Sequence, residues 1–179
     1  MQRRRFLMMG LGTAAFAGLS FMGAQMVFAG NDRPKDVPLK KSQSEWKAQL
    51  TPEQYAVMRE EATEVPHSSE LNRENRTGVF VCAACAQPLF YSGTKFNAGC
   101  GWPSFDQAIP GAVKTQTDYK LIAPRTEYHC ANCGSHLGHI FKDGPTATGM
   151  RYCQNGIALR FVLEGTPEYS EIAKKYPPK

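Results

Sequence analysis

Apolar and polar positions fall into three textures along the chain. Residues 8–30 form one uncharged, apolar stretch rich in alanine, glycine and methionine. Residues 31–41, N-D-R-P-K-D-V-P-L-K-K, are polar, charged and broken by two prolines, the composition of a solvated linker. Beyond Lys41 apolar residues recur at regular spacings, so the folded domain is expected to span 42–179.

Two helices are predicted to open that domain. Ser42 and Glu45 have capping-box spacing for a short helix carrying Trp46 and Leu50. Thr51, Pro52 and Gln54 make a fuller signal, with the N-cap, a proline at the first helical position and the reciprocal partner at the third. Tyr55, Met58 and Ala62 then share one face, a core stripe that Pro66 is expected to end. Residues 65–76 read as polar and irregular. Past Gly78 short β-leaning runs at 79–81, 89–91, 119–122, 126–129, 139–141, 151–153 and 158–163 alternate with turn residues. Their connections are too short for repeated helical crossovers, so the sheets should be antiparallel. Thr166-Pro167 starts a last helical turn. The fold class is mostly β (α+β).

Charge changes this picture only at the N-terminus. Arg3, Arg4 and Arg5 precede the apolar stretch, and small residues close it near Val27-Phe28-Ala29. That is the layout of a secretory signal over 1–30. Its R-R-x-F-L pattern resembles a twin-arginine signal and implies export to the periplasm. The alternative is a retained membrane anchor, which the weak hydrophobicity of an alanine- and glycine-rich stretch disfavours. The whole chain carries +5; losing three of its 21 basic residues and none of its 16 acidic ones leaves +2. So small an excess does not point to nucleic acid as a partner.

Candidate chemistry concentrates in 130–155, C-A-N-C-G-S-H-L-G-H-I-F-K-D-G-P-T-A-T-G-M-R-Y-C-Q-N. It holds a C-x-x-C pair (Cys130, Cys133), an H-x-x-H pair (His136, His139) and Cys153. A second C-x-x-C (Cys82, Cys85) and Cys100 complete six cysteines. An even count in an exported chain first suggests disulfides. Two C-x-x-C units instead fit a tetrahedral zinc–thiolate site on two tight turns, with redox-active pairs as the alternative. Gly134 follows the second unit, where a small residue suits such a knuckle, whereas Ala86 follows the first. The 44 residues between Cys85 and Cys130 mean that this site would staple two distant hairpins. Four thiolates leave zinc no open position, so it would be structural.

Cys100 and Cys153 remain. They could pair as a structural disulfide or sit as small buried hydrophobes. Cys100, between Gly99 and Gly101, has a setting suited to a thiol that must move. Cys153, close to Arg151 and the histidine pair, is expected to have a pKa below the free value of about 8.5. A reactive thiolate with a mobile partner thiol suffices for reversible redox chemistry. His67 and His129 read as structural. On a β-turn, His136 and His139 would bring both rings to one pocket. Trp102, in G-C-G-W-P, fits either the core or an apolar pocket wall.

The words K-F-N-A-G-C-G-W-P-S-F (95–105), H-L-G-H-I-F-K-D-G-P (136–145) and T-G-M-R-Y-C-Q-N (148–155) resemble the signatures of the B-type peptide-methionine (R)-S-oxide reductases. The resemblance runs from about Trp46 to about Leu163. It implies two small antiparallel sheets packed face to face, short N-terminal helices, and one zinc ion on Cys82, Cys85, Cys130 and Cys133 opposite the active site. Cys153 would be the nucleophile and Cys100 the resolving cysteine. Trp102 would receive the substrate methyl group. His136, His139 and Asn155 would line the polar side, and Arg151 would support the thiolate. Oxidised proteins would be the substrates and a thioredoxin-like dithiol the reductant of a monomeric enzyme. Gln154, where an apolar residue is usual, and Met150 are small departures. A cysteine hydrolase using Cys153 with His136 or His139 would leave Cys100 and Trp102 without roles, and a zinc-stapled binding module would need only the knuckles. A zinc deaminase is excluded, because no H-x-E precedes a P-C-x-x-C.

Overall fold

Both predicted capping boxes form. Ser42 caps helix α1 (Gln43–Gln49), and Thr51 caps helix α2 (Pro52–Glu60), each with its reciprocal third-position partner. These belong to a computed structural model that describes residues 36–178; the expected leader, its arginines and most of the linker lie outside the described residues. Helix α2 stops six residues before Pro66. Glu61 turns left-handed at φ 60° and the Ala62 N–H returns to the Ala56 carbonyl, closing the helix with backbone groups alone. Ala62 is therefore exposed, and Val57 joins Tyr55 and Met58 on the buried face. The stretch read as irregular holds one 3₁₀ turn, Glu70–Arg73, capped by Ser69.

Nine strands follow among the described residues. They are β1 Gly78–Cys82, β2 Pro88–Tyr91, β3 Lys95–Phe96, β4 Ser104–Phe105, β5 Val113–Asp118, β6 Arg125–Cys130, β7 His136–Phe141, β8 Arg151–Gln154 and β9 Leu159–Leu163. Helix α3 (Pro167–Lys175) ends the fold, longer than the single turn expected. All pairings are antiparallel, in one sheet ordered β2-β1-β9 and another ordered β3-β4-β8-β7-β6-β5. Aromatic side chains join the sheets face to face. Phe105 of the larger sheet lies 4.2 Å from Phe90 and 5.0 Å from Phe80, ring centre to ring centre. Tyr128 and Tyr152 extend the cluster edge-on. Every position of β1 is buried, which explains its unbroken V-F-V run.

The run 119–122 is not a strand. The β5–β6 ladder closes at Asp118 opposite Arg125, and residues 119–124 are exposed loop. With no neighbouring strand, β-propensity has no pleated surface on which to act.

His136 and His139 lie on strand β7, not on a β-turn. Strict two-residue alternation would send them to opposite faces. His129 pairs with His136 and Tyr128 with Gly138, so Leu137 is the extra residue of a bulge. The bulge shifts the alternation by one, and the two imidazoles meet with centres 5.6 Å apart.

Strands β7 and β8 approach closely at Gly138. A Cβ there would lie 2.0 Å from the Cys153 carbonyl oxygen. Gly138→Ala should therefore cost about 1–3 kcal/mol of stability, read as a lower denaturation midpoint. An unchanged midpoint would show that β8 yields freely.

Candidate active site and metal centre

The two C-x-x-C units sit on matching turns at the ends of β1 and β6. In each, the N–H four residues on (Ala86 or Gly134) donates to the first cysteine's carbonyl at 2.8 Å. Both residues are left-handed, at φ 58° and 67°. Ala86 thus adopts what Gly134 adopts freely, at a cost of roughly 1–2 kcal/mol. The turns bring four sulfurs within 4.8 Å of one another, with Cys82–Cys133 at 3.8 Å and Cys85–Cys130 at 3.6 Å. A tetrahedron with 2.3 Å metal–sulfur bonds has edges of about 3.8 Å, so the set fits one tetrahedral metal ion. Hydrogen bonding among the sulfurs, with burial added, pushes the Cys82 and Cys130 thiols up while Cys85 and Cys133 fall. Four thiolates can coexist here only around a cation.

The second candidate site lies at the other end of β6, five residues or roughly 17 Å away. Thr63, Trp102, Arg125, Gly138, His139, Phe141, Cys153, Gln154 and Asn155 line a small cavity of about 120 Å³. Strand β8 presents Cys153 opposite Ser104 of β4. Cys100 is held just beside it, its sulfur 3.7 Å from the Ser104 hydroxyl, on a turn where Gly99 and Gly101 are both left-handed. All six cysteines are free thiols.

The electrostatics overturn one expectation. Arg151 grips Asp143 with two 2.8 Å hydrogen bonds, stacks on Phe141, and points Nη1 at Cys100, 3.7 Å away. Burial, then the neighbouring Cys100, push the Cys153 thiol up to about 12 despite Arg151. Burial also opposes ionisation of Cys100, but the Trp102 backbone, the Ser104 hydroxyl and Cys153 outweigh it and lower its pKa. Of the two thiols, Cys100 is therefore the more readily ionised.

Three carboxylates that the sequence reading passed over organise the rest. Glu64 accepts from the Gly156 and Ile157 N–H groups at 2.6 and 2.7 Å. Its own backbone receives the Trp102 indole N–H at 3.2 Å and donates to Asn155 Oδ1 at 3.1 Å. One residue thus fixes the apolar and the polar wall together. Asp118 contacts His139 Nε2 at 2.8 Å and Arg125 at 2.6 Å. Burial alone would raise this carboxyl; the Lys120 N–H, His139 and Arg125 hold it at about 2. Burial keeps His139 neutral, its pKa lowered although Asp118 opposes the shift. Glu127 pairs with His136 Nδ1 and lies 3.1 Å from His129 Nε2. Burial alone would raise Glu127, but the two histidines hold it well below the usual carboxylate range. His129 is thus a buried structural residue, as expected, although it touches the carboxylate behind His136. His67 is exposed, tied to the loop by its N–H to the Gly101 carbonyl at 2.7 Å. Asn155 Nδ2 donates to the Leu137 carbonyl at 3.1 Å and reaches His136 Nε2 at 3.4 Å. Gln154, the departure noted in the sequence, is fully buried but satisfied, taking the Tyr128 hydroxyl at 2.7 Å.

No signal in the sequence singles out Glu64 or Asp118, because their partners are remote in the chain. Glu127 at least stands between strand formers, where a charge needs a partner.

Two free thiols beside a pocket with one aromatic and one polar wall, on a β fold stapled by four cysteines, define a small thiol oxidoreductase. Residues 50–163 match the SelR domain family. The chain belongs to that family, the B-type methionine sulfoxide reductases. It is similar to the "Peptide methionine sulfoxide reductase MsrB" of Leifsonia xyli subsp. xyli, 56% identical over 126 residues, covering 69% of this chain and 91% of that one. The protein of the same name from Agrobacterium fabrum is 52% identical over 122 residues, 68% of this chain and 90% of that one. The chloroplastic "Peptide methionine sulfoxide reductase B2" of Arabidopsis thaliana is 41% identical over 166 residues, 90% of this chain and 80% of that one.

Two outcomes follow from this geometry. Cys82→Ser or Cys130→Ser should abolish metal retained through gel filtration, measured by elemental analysis. It should also unfold the domain, since a structural site of this kind contributes roughly 10 kcal/mol or more. Cys100→Ser should move the pH midpoint for alkylation of Cys153 downward, because it removes a neighbour that raises the Cys153 thiol. A midpoint that stays put would mean that burial alone sets it.

Proposed function

We propose that the chain reduces methionine-(R)-sulfoxide in proteins to methionine, with Cys153 as nucleophile and Cys100 as resolving cysteine. The observation that carries this reading is a cavity lined by Cys153 together with Trp102, His139 and Asn155, with Cys100 beside it at Ser104, the residue opposite Cys153.

In this mechanism the substrate S-methyl group packs on the Trp102 indole, and its oxygen takes the Asn155 N–H. His139 engages Asp118 through Nε2, so its Nδ1 accepts the Cys153 thiol proton and delivers it to the sulfoxide oxygen. His136, backed by Glu127 and with Nε2 3.4 Å from the Asn155 amide nitrogen, orients Asn155 from behind the cavity wall. The sulfur of Cys153 attacks the substrate sulfur as the sulfur–oxygen bond breaks, and the oxygen leaves as hydroxide carrying the thiol proton. That hydroxide then adds to the Cys153 sulfur as the new sulfur–sulfur bond breaks and methionine leaves. One thiol and one sulfoxide thereby become one sulfenic acid and one methionine. A thiol that keeps its proton until substrate arrives suits this step, because the oxygen requires that proton. The Cys100 thiolate then displaces hydroxide from the Cys153 sulfenic acid. Protonation of the hydroxide gives water, and a Cys100–Cys153 disulfide remains. A thioredoxin-like dithiol protein reduces it. Arg151, beside Cys100, stabilises the attacking thiolate.

The four-cysteine metal is zinc in this proposal, structural and closed to substrate. The enzyme acts as a monomer exported by the twin-arginine route. Export after folding lets zinc occupy the thiolates in a reducing compartment first. Zinc supplies no chemistry at the pocket, which lies at the far end of β6.

The cavity accepts one epimer with its methyl on the indole and its oxygen on the donors together. Reduction of the R epimer with almost none of the S epimer is expected; equal rates would overturn the pocket assignment. Cys153→Ser should abolish even a single turnover. Cys100→Ser should still release one equivalent of methionine and leave a dimedone-reactive sulfenic acid at Cys153. Thioredoxin-driven turnover should then collapse, with partial rescue by dithiothreitol.

A further inference from the structure

Large apolar side chains stand exposed at only five described positions, Val65, Tyr119, Leu121, Ile122 and Leu163. Four of these stand within a few residues, along the chain, of residues that line the active-site cavity or hold its walls. Tyr119, Leu121 and Ile122 belong to the loop that joins Asp118, the partner of His139, to cavity-lining Arg125. Val65 follows Glu64, whose carbonyl holds the Trp102 indole, and lies two residues from cavity-lining Thr63. The Lys120 ammonium pairs with the Glu61 carboxylate and ties the two segments together. Exposed aliphatic and aromatic side chains therefore gather on two linked segments beside one cavity, with the charge among them already paired.

The cavity is too small to enclose more than a side chain. Its volume of about 120 Å³ is well below the roughly 300–1,000 Å³ of sites that enclose whole ligands. When it holds an oxidised methionine, the residues before and after that methionine must lie on the surface around it. We propose that Tyr119, Leu121, Ile122 and Val65 form an apolar rim that binds the side chains flanking an oxidised methionine. The occupant is an extended polypeptide with aliphatic neighbours at the oxidised position. This rests on the reductase reading of the cavity and adds to it a sequence preference held outside the reacting residues. A methionine flanked by aliphatic residues is normally core, so the rim selects segments that a folded client keeps hidden.

The test compares three substrates with dithiothreitol as reductant: a peptide with leucine on both sides of the (R)-sulfoxide, the same peptide with serine there, and N-acetyl-methionine-(R)-sulfoxide amide. The wild-type chain should favour the leucine peptide over the serine peptide in kcat/KM. The double variant Leu121→Ser, Ile122→Ser should lose about tenfold on the leucine peptide, the size expected for partly uncovering two aliphatic side chains. Its rate on the amide should not change. Tyr119→Ser, made separately, should shift the same ratio. No preference in the wild-type chain, or an equal loss on peptide and amide, would overturn the rim. A wild-type dimer that the double variant dissociates without changing the ratio would assign the surface to a second copy and also overturn it. Inactivity of the wild-type chain on all three substrates would instead defeat the reductase reading itself.

Discussion

Convergence of four sulfurs from two turns 44 residues apart is the constraint on which the rest of the structure leans. Thiols packed at 3.6–3.8 Å resist joint ionisation, so all four can ionise together only around a cation, which the set is placed to hold. An ion held there would pin the end of β1 in one sheet to the end of β6 in the other. A two-sheet domain of this size has a modest core, and a staple between its layers adds stability that packing alone supplies poorly. The aromatic contacts of Phe80, Phe90 and Phe105 fill the gap between the sheets beside that cluster.

Strand β6 carries that constraint to the chemistry. Anchored at Cys130, it places Glu127 against His136 and Arg125 against Asp118. Each carboxylate would be costly to bury alone, and each instead pairs with an imidazole, Asp118 with His139 in the cavity wall and Glu127 with His136 behind Asn155. The polar wall is thus a set of charges that hold one another, with the β7 bulge as the device that lets both histidines take part. Glu64 works from the opposite side. It couples Trp102 to Asn155 through its own backbone, so the spacing of the two walls is a property of one residue. Loosening it would change which epimer fits before it changed the thiols.

Legibility in the sequence followed the range of the interactions. The capping boxes, the C-x-x-C knuckles and the glycines around Cys100 act within five residues, and each was readable from its own spacing. Nearness of Cys100 to Cys153 at the cavity was readable only through the resemblance of three motifs to a family. The end of α2 was misread because Pro66 can forbid a helix but cannot reveal that Glu61 has already turned left-handed. The run 119–122 was misread because strand propensity presupposes a neighbouring strand, and the ladder had ended at Asp118. The histidine pair was recognised, but its shared face depends on a bulge whose only cause is pairing with another strand. Glu64 and Asp118 were invisible for the same reason: everything that makes them matter arrives from elsewhere in the chain.

The thiol pair shows why proximity to a cation does not by itself make a nucleophile. Arg151 is two residues from Cys153, and sequence distance suggested that its charge would serve that sulfur. In the fold its two strong hydrogen bonds go to Asp143, and its remaining arm meets Cys100. Burial then dominates at Cys153 and keeps the proton there, while Cys100 collects the hydrogen bonds that favour a thiolate. This division suits a reaction in two halves. Attack on a sulfoxide consumes a proton at oxygen, so a nucleophile that carries its own proton into a dry pocket loses little by being protonated beforehand. Capture of the sulfenic acid proposed at Cys153 is favoured by a lowered thiol pKa and a backbone free to move, and Cys100 between two left-handed glycines combines them. The two cysteines differ in acidity because burial dominates at Cys153 and hydrogen bonding at Cys100.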